Sequence, residues 1–273
     1  MLSGKFMKRR AARVATVAAV AVGCAVATAG SAGAIVNGTD ATQRYPFMAS
    51  VPVSAPGLDD GVCGASLIDR QWVLTAAHCV DPNLVKPAGI VRIGSDERKS
   101  GGTVRGIAGT FTHPDYRQGG GTGPNLNDVA LIHLDRPVTE RPVPIAERPG
   151  VPGTPTRLLG FGTVTDTNDL GGLKFPDHLQ QLDTRRAAES ECDPGYAGPT
   201  RLCTVSRVPR AMACFGDSGG PQIQRGRGGR YELIGVTSGP GVGGHVPCSS
   251  GPGLYSSAPA YADWIRATIR ANG

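Results

Sequence analysis

Three short segments of the chain carry residue types that together can break an amide bond. His78 follows an apolar run, Asp128 precedes another, and Ser218 lies inside the glycine-rich stretch Gly216–Gly220. A serine hydroxyl becomes a good nucleophile when a neighbouring imidazole accepts its proton, and a buried carboxylate can hold that imidazole in the required tautomer. These are the groups that acyl transfer from an amide requires.

The glycines around Ser218 add the remaining requirement of that chemistry. They let the backbone approach a scissile carbonyl, so that the amides of Gly216 and Ser218 can point at the developing oxyanion. Each of the three segments alone is weak, since a lone histidine is commonly structural, and an aspartate or serine of this kind is commonly a turn residue. The combination, in the chain order His, Asp, Ser, favours a catalytic triad.

The rest of the sequence predicts strands as the elements that position these residues. The chain has 40 glycines and 22 prolines but only 5% aromatic residues, which disfavours a helix bundle. Its apolar runs are short and bounded by turn residues, which indicates an all-β sandwich or barrel. The runs are Ala65–Ile68, Trp72–Thr75, Val91–Ile93, Val129–Leu134, Arg157–Leu159, Leu202–Val205 and Glu232–Thr237.

Two further features indicate how the chain is divided. The proline-punctuated segment Arg136–Pro155 predicts a boundary between two halves of the chain. Near the end, Pro259 suits a first helical turn, and apolar side chains follow with helical spacing. These are Tyr261, Trp264, Ile265 and Ile269, which predict a terminal helix docked by one apolar face.

The first 34 residues have the pattern of a secretory signal. A basic start is followed by the apolar run Ala15–Thr28 and then by the small residues Ala29–Ala34. The pair Arg9-Arg10 leaves the export route open between general and twin-arginine secretion. The sequence therefore predicts an extracellular protein with no stable membrane association once this segment is removed.

The net charge supports no nucleic-acid function. The chain carries a formal charge of +6, but residues 1–34 hold five basic residues and no acidic one, so the remainder has a charge of only +1. Binding to phosphate backbones needs a basic surface. We therefore expect protein or peptide substrates, a monomer, no cofactor and no assigned metal. Calcium stays open, because Asp96 and Glu97 share the loop Gly94–Thr103 without a clear ligand pattern.

Six cysteines lie outside the leader, in which Cys24 is discounted. An even number in an exported chain predicts three disulfides, and zinc is disfavoured because no CxxC pair is present. Six cysteines allow fifteen pairings, among which spacing cannot choose. The six are Cys63, Cys79, Cys192, Cys203, Cys214 and Cys248.

Several of these segments closely match one known family. The segments are TAAHC (75–79), NDVALIHL (127–134), GDSGGP (216–221), IVNG (35–38), GFG (160–162) and PGLY (252–255). Together they resemble the signature segments of the trypsin/chymotrypsin-like serine endopeptidases, and with the leader they indicate a bacterial secreted member. The resemblance implies two antiparallel six-stranded β-barrels and a C-terminal helix. It places a removed signal peptide at 1–34 and a peptidase domain at 35–273, with barrels at about 35–145 and 146–258 and the helix at about 259–271.

The resemblance also implies a role for each site residue. It makes His78 the general base and then acid, Asp128 its orienting partner and Ser218 the nucleophile, with Ser238 supporting the buried acid. Asp217 is expected to pair with the new α-amino group of Ile35. The implied disulfides are Cys63–Cys79, Cys192–Cys203 and Cys214–Cys248.

The substrate pocket departs from the trypsin pattern. The position that is acidic in trypsins is Met212 here, followed by Ala213, and Gly253 leaves space on the pocket wall. A methionine cannot pair with a cation, so we expect cleavage after apolar residues rather than after Arg or Lys. On the rim, Ser238 is followed by Gly239-Pro240, where the family usually has an aromatic residue and a glycine.

Two other functions compete with peptide hydrolysis. The segment 216–220 fits the GxSxG of esterases, but that fold needs the order Ser, acid, His and alternating strands and helices. A protease-like binding protein, catalytically weak or inactive, usually lacks a triad member, and all three are present here.

The site of signal removal decides how the enzyme becomes active. Ala32-Gly33-Ala34 is an A-x-A signal-peptidase site, and cleavage after it frees Ile35 directly. Cleavage after Ala27-Thr28-Ala29 instead leaves a short extension that a second protease must trim. We favour the direct route.

Overall fold

The computed structural model describes residues 1–2, 35–120, 123–167, 170–244 and 246–273. The predicted leader, apart from its first two residues, lies outside these ranges. The described residues form fourteen strands, a single α-helix and several short 3-10 turns. No helix in these ranges has the length and hydropathy needed to span a membrane. The 3-10 turns are Ala77–Cys79, Leu170–Gly172, Glu189–Glu191, Arg227–Gly229, Cys248–Ser250 and Ala258–Tyr261.

The first half of the chain forms a closed six-stranded antiparallel barrel. Its strands run in the order β3-β4-β8-β7-β6-β2, β2 pairs again with β3, and the two-residue β5 adds to β2. The strands of this half are β1 Thr39–Asp40, β2 Met48–Ala55, β3 Leu58–Asp69, β4 Trp72–Thr75, β5 Lys86–Pro87, β6 Ile90–Ile93, β7 Thr103–Thr112 and β8 Ala130–Leu134. Of these, β1 pairs with the second barrel.

The second half forms another closed six-stranded antiparallel barrel. Its order is β10-β11-β14-β13-β12-β9, and β9 closes it by pairing with β10. The strands are β9 Pro155–Gly160, β10 Gln180–Arg186, β11 Arg201–Ser206, β12 Pro221–Arg225, β13 Tyr231–Pro240 and β14 Gly253–Ser257. The expected fold, two six-stranded antiparallel barrels with a terminal helix, is confirmed.

The C-terminal helix α1 covers Ala262–Asn272 and follows the 3-10 turn that contains Pro259. Tyr261 and Ile265 are buried in a core of apolar side chains from both barrels, and Trp264 and Ile269 pack against its edge. The rings of Tyr261 and Trp264 also contact that of His113, which follows β7 of the first barrel. Burial of this face stabilises the helix, since an isolated helix of this length is marginal in water. The helix therefore ties the end of the chain to the first barrel.

Three disulfides tie loops to the strands around the site. They join Cys63 to Cys79, Cys192 to Cys203 and Cys214 to Cys248 across 16, 11 and 34 positions. A disulfide that closes a loop of this size restricts the unfolded chain and stabilises the fold by roughly 2–4 kcal/mol. The first joins β3 to the turn that carries His78, and the third begins four residues before Ser218.

Candidate active site

A single 3-10 turn, Ala77–Cys79, presents His78 at the end of β4. Ala77 and Cys79 are fully buried on either side, whereas the side chain of His78 keeps 18% of its surface exposed. The disulfide of Cys79 anchors the turn to β3. The imidazole is therefore held firmly at the surface of the first barrel with one edge open to solvent.

The carboxylate of Asp128 is fully buried and accepts four hydrogen bonds. Its Oδ1 accepts the backbone N–H of His78 at 3.0 Å, and its Oδ2 accepts the Nδ1–H of the same residue at 2.8 Å. Oδ2 also accepts the hydroxyl of Ser238 at 2.5 Å and the amide of Asn125 at 3.1 Å. This set fixes the rotamer of the aspartate and the tautomer of the histidine.

The electrostatics of this pair suit a general base. Burial opposes the charged imidazolium, but the carboxylate of Asp128 outweighs it and raises the pKa of His78 above its ordinary value. Burial likewise opposes the charged carboxylate, but its bonds to His78 and Ser238 lower the pKa of Asp128. A proton taken up by the imidazole is therefore stabilised in place.

The Ser218 loop lies directly against the first barrel because glycines face one another across the contact. The backbone N–H of Gly64 donates to the carbonyl of Ser218 at 2.7 Å. A Cβ on Gly64 would lie 2.5 Å from the Cα of Gly220, and one on Gly219 would lie 2.2 Å from the hydroxyl oxygen of Thr75. Only glycine permits this approach, which brings Ser218 to the strand that ends just before His78.

The same loop offers two backbone amides in a common turn. Gly216 has a φ of 92°, which favours glycine, and Asp217 donates its own N–H to the carbonyl of Cys214 at 3.0 Å. Within the described ranges, the amides of Gly216 and Ser218 have no acceptor. Two free N–H groups that flank a paired one have the connectivity of an oxyanion hole.

Phe175 supports this turn from a distant part of the sequence. Its ring atom Cε1 lies 2.6 Å from the position that a Cβ of Gly216 would occupy, so the ring fills the space beside the turn. Arg98 lies over the same ring at 5.7 Å from its centroid and is only 7% exposed. The guanidinium forms two hydrogen bonds with the carboxylate of Asp60, at 3.2 and 2.9 Å, and lowers the pKa of that carboxyl to about 2.

Asp217 is fully buried and has two backbone donors. Its Oδ1 accepts the N–H of Gly162 and its Oδ2 that of Cys214, both at 2.9 Å. Burial raises the pKa of this carboxyl to about 7, although both hydrogen bonds favour the charged form. Side chains at Gly160 and Gly162 would collide with it, which accounts for the glycines of the GFG segment. Among the described residues, no cation pairs with this carboxyl, although a buried carboxylate needs one.

The first residues of the expected mature chain, Ile35 and Val36, contact the segment just before Ser218 in the sequence. Val36 and Met212 exchange backbone hydrogen bonds of 3.1 and 3.2 Å. Ile35 is fully buried in an apolar cluster with Met212 and Tyr255. Its φ of 64° belongs to a region that β-branched residues rarely occupy.

A pocket of about 270 Å³ opens beside Ser218. Met212 is buried in its wall and accepts a hydrogen bond from the Tyr255 hydroxyl at 3.7 Å from its sulfur. A Cβ on Gly253 would come within about 3 Å of both of these side chains, so this glycine keeps the pocket open. Its lining includes the predicted pocket residues Met212, Ala213, Ser238, Gly239 and Gly253, and among the described residues that line it none is charged.

The rim of this pocket ends in Gly239-Pro240, at the end of β13. Proline has no N–H, so this edge offers one donor fewer to a partner strand. The following segment is held by Asp193, whose carboxylate accepts the N–H of Gly243 at 2.8 Å. A second pocket of about 180 Å³ adjoins the rim and shares Ser238, Gly239, Pro240 and Gly244 with the first.

The sequence interpretation did not identify several residues that hold this site together. Asn125 binds Asp128 from three positions upstream, and Ser256 donates its hydroxyl to the Asp128 carbonyl at 2.8 Å. The position of Asn125 close to the aspartate is a usable signal. The sequence carries no comparable signal for Ser256, Gly64 or Phe175, because their roles depend on contacts between segments that are far apart in the chain.

Comparison with known proteins assigns the chain to a class. Residues 35–265 match the family model described as Trypsin. Mouse Kallikrein-11 is 30% identical over 221 residues, which cover 77% of this chain and 74% of that protein, and human Kallikrein-11 is 29% identical with coverage of 77% and 73%. The solved structure of mouse neuropsin, described as a serine protease expressed in the limbic system of mouse brain, matches with a TM-score of 0.69. It is 26% identical, and the match covers 86% of this chain and all of that one.

This chain therefore belongs to the trypsin family of serine proteases and is a hydrolase of peptide bonds. The resemblance seen in the sequence is confirmed. The expected bacterial origin is not supported, since the relatives named above are mammalian proteins.

Proposed function

We propose that this protein is a secreted endopeptidase that uses His78, Asp128 and Ser218 as its catalytic triad. The observation that carries the proposal is the buried carboxylate of Asp128, whose bond to Nδ1 of His78 leaves Nε2 as the basic nitrogen. The glycine contact that brings the Ser218 loop to the end of β4 supports it. Export is supported by the three disulfides, which persist in oxidising compartments.

The reaction proceeds through an acyl-enzyme. Nε2 of His78 takes the proton of Ser218 as its Oγ attacks the scissile carbonyl carbon, and the amides of Gly216 and Ser218 bind the resulting oxyanion. The imidazolium then gives its proton to the leaving amine as the C–N bond breaks. A water molecule repeats the sequence on the ester and releases the acid. Asp128 stays ionised and stabilises the imidazolium throughout.

An apolar side chain is the proposed occupant of the pocket beside Ser218. Met212 and Tyr255 form its inner wall, and no described lining residue carries a charge that would pair with Arg or Lys. Burial of an unpaired cation there would cost several kcal/mol. The esterase alternative loses its basis, because the fold is not the α/β sheet that it needs.

A peptide library varied at the residue before the cleaved bond tests this preference. We expect cleavage after Leu, Met or Phe and almost none after Arg or Lys, with cleavage sites determined by mass spectrometry. Met212→Leu is the matched control and should keep the preference, whereas Met212→Asp should lose it. Efficient hydrolysis of an arginyl amide by the unaltered enzyme would contradict the assignment.

Removal of residues 1–34 is the proposed activation step. The amino group freed at Ile35 would supply a cation to the buried Asp217, whose described partners are two backbone N–H groups. Cleavage would also remove the strained φ of Ile35, since that dihedral exists only while the preceding peptide bond is intact. Secretion and activation would then be one event.

Amino-terminal sequencing of freshly secreted Ser218→Ala protein tests direct activation. This variant cannot process itself, so its N-terminus reports the signal peptidase alone. We expect the sequence to begin at Ile35. A chain that begins at Gly30 would show that a second protease is needed.

A further inference from the structure

A wide groove far from Ser218 is lined by five exposed arginines. It has a volume of about 850 Å³, and none of its described lining residues also lines the pocket beside Ser218. Its floor contains buried or partly buried aromatic and apolar side chains, including Tyr45 and Phe47. The arginines are Arg44, Arg141, Arg225, Arg227 and Arg230, which come from three separate segments of the chain.

These arginines have no carboxylate partner in the part of the chain that the structure describes. None of the nine ion pairs found among the described residues includes any of the five. The side chains of Arg141, Arg227 and Arg230 have no hydrogen-bond partner in the described part of the chain. Arg44 donates only to the carbonyl of Gly94, at 3.2 and 2.9 Å.

Arg225, the fifth arginine of the groove, is held in a fixed orientation by its neighbours. The Arg225 guanidinium lies 3.7 Å from the ring centroid of Tyr231 and donates to its hydroxyl at 2.9 Å. Another of its N–H groups donates to the Gly229 carbonyl at 2.6 Å. This fixed position reduces the conformational entropy that binding to an anion would cost.

One acidic side chain lies among the lining residues. Glu232 is partly buried, and its carboxylate lies within about 2.5 Å of the position that a Cβ of Gly226 would occupy, under the turn. Glu140 is close by, next to Gly94, where its Oε1 accepts the Thr103 hydroxyl at 2.5 Å. The described lining of the groove therefore combines five positive charges with one negative charge, in a chain whose charge outside residues 1–34 is only +1.

We propose that this groove binds a sulfated polysaccharide. Guanidinium groups form paired hydrogen bonds with tetrahedral oxyanions, and arginines spread over three segments suit a linear chain with repeated anionic groups. A nucleic acid fits less well, because Tyr231 is covered by Arg225 and Tyr45 is buried, which leaves neither ring free to stack on a base. The disulfides also indicate an oxidising compartment rather than the cytosol or the nucleus, which further disfavours a nucleic acid as the partner.

The groove lies remote from the catalytic residues. Strand β12 begins three residues after Ser218 and ends at Arg225, so the two sites are roughly 20 Å apart along it. Binding there would retain the protease on a polysaccharide matrix while leaving its cleft free. The proposal does not depend on the proposed catalytic roles.

Binding of a heparin-derived oligosaccharide to Ser218→Ala protein tests the site without any catalysis. We expect the combined variant Arg141→Gln, Arg227→Gln, Arg230→Gln to weaken affinity by roughly tenfold or more at about 0.15 M salt. It should also lower the slope of log affinity against log salt by about two. The matched control, Arg207→Gln with Arg210→Gln and Arg270→Gln, removes three exposed arginines that are not among the described residues lining the groove, and it should change binding little.

Three results would overturn the proposal. They are no binding by the starting protein, an equal loss in the control variant, or equal affinity for a DNA duplex or a polyglutamate peptide of matched charge. The same triple change in the protein with Ser218 intact should leave hydrolysis of a short peptide unchanged, which verifies folding. If that protein fails to fold, the pair Arg227→Gln and Arg230→Gln, confined to an exposed turn, provides the same comparison with a smaller loss.

Discussion

Replacement of Ser218 with alanine is expected to lower kcat on a peptide amide by roughly 10⁶-fold. The alanine has no oxygen to attack the carbonyl, so His78 has no proton to accept and the acyl-enzyme cannot form. His78→Ala should cost about as much, and the double variant hardly more, because the two residues act as one unit. Some rate above the uncatalysed reaction should remain, since the backbone amides at positions 216 and 218 can still bind the oxyanion.

The measurement is kcat on a chromogenic peptide amide, together with labelling by a fluorophosphonate probe. The starting enzyme should be labelled at Ser218, and the alanine variant should not be labelled. Ser100→Ala is the matched control, because Ser100 is exposed on a loop and its hydroxyl has no described partner. Peptidase activity that survived in Ser218→Ala would refute the proposed triad. Absence of labelling in the starting enzyme would favour a binding protein.

Replacement of Asp128 with asparagine is expected to reduce kcat by roughly 10⁴-fold. The side-chain amide keeps the shape of the carboxylate, but it can donate a hydrogen bond to Nδ1 of His78. That bond would hold the imidazole in the tautomer whose Nε2 carries the proton and cannot accept another. Asn125 and Ser238 would then lose their common acceptor, which adds a smaller structural cost.

The pH profile distinguishes this electrostatic role from a loss of folding. Catalysis needs the neutral imidazole, so kcat/KM should rise with pH through the pKa of His78, which Asp128 raises above its ordinary 6.5. Burial lowers the pKa of His78, and in Asp128→Asn only the weaker negative field of Asp81 opposes this effect. The midpoint of the kcat/KM profile should therefore move to lower pH. Asp81→Asn is the control and should shift the midpoint slightly in the same direction with little loss of kcat. An unchanged midpoint in Asp128→Asn would contradict this account.

The strands with apolar runs could be predicted from the sequence, and the more polar strands could not. The run Trp72–Thr75 coincides with β4, and Val129–Leu134 begins one residue before β8. By contrast, β10 reads QQLDTRR, and β7 alternates between exposed and half-buried residues. In β10 the glutamines are buried because hydrogen bonds hold their side chains: the Tyr45 hydroxyl donates to Oε1 of Gln181, and Nε2 of Gln180 donates to the His178 carbonyl at 3.1 Å.

The residues of the active site likewise divide into those that the sequence could predict and those that it could not. His78, Asp128 and Ser218 could be proposed because their chemistry needs these residue types and their flanking segments are distinctive. The disulfide pairs came only from the resemblance, since spacing left fifteen choices. Gly64 and Ser256 could not be found, because they meet Ser218 and Asp128 across more than a hundred residues. A pattern search along the chain has no access to such contacts.

The buried carboxyl of Asp217 has a practical consequence for handling the uncut chain. Its pKa is raised from 3.8 to about 7, so between these values the folded protein binds a proton that the unfolded chain releases. The free energy of unfolding therefore falls as the solution is brought from mild acid to neutrality. Preparations of the uncut protein should keep their fold longest at about pH 5, whereas a chain that begins at Ile35 gains a counter-charge and tolerates neutral storage.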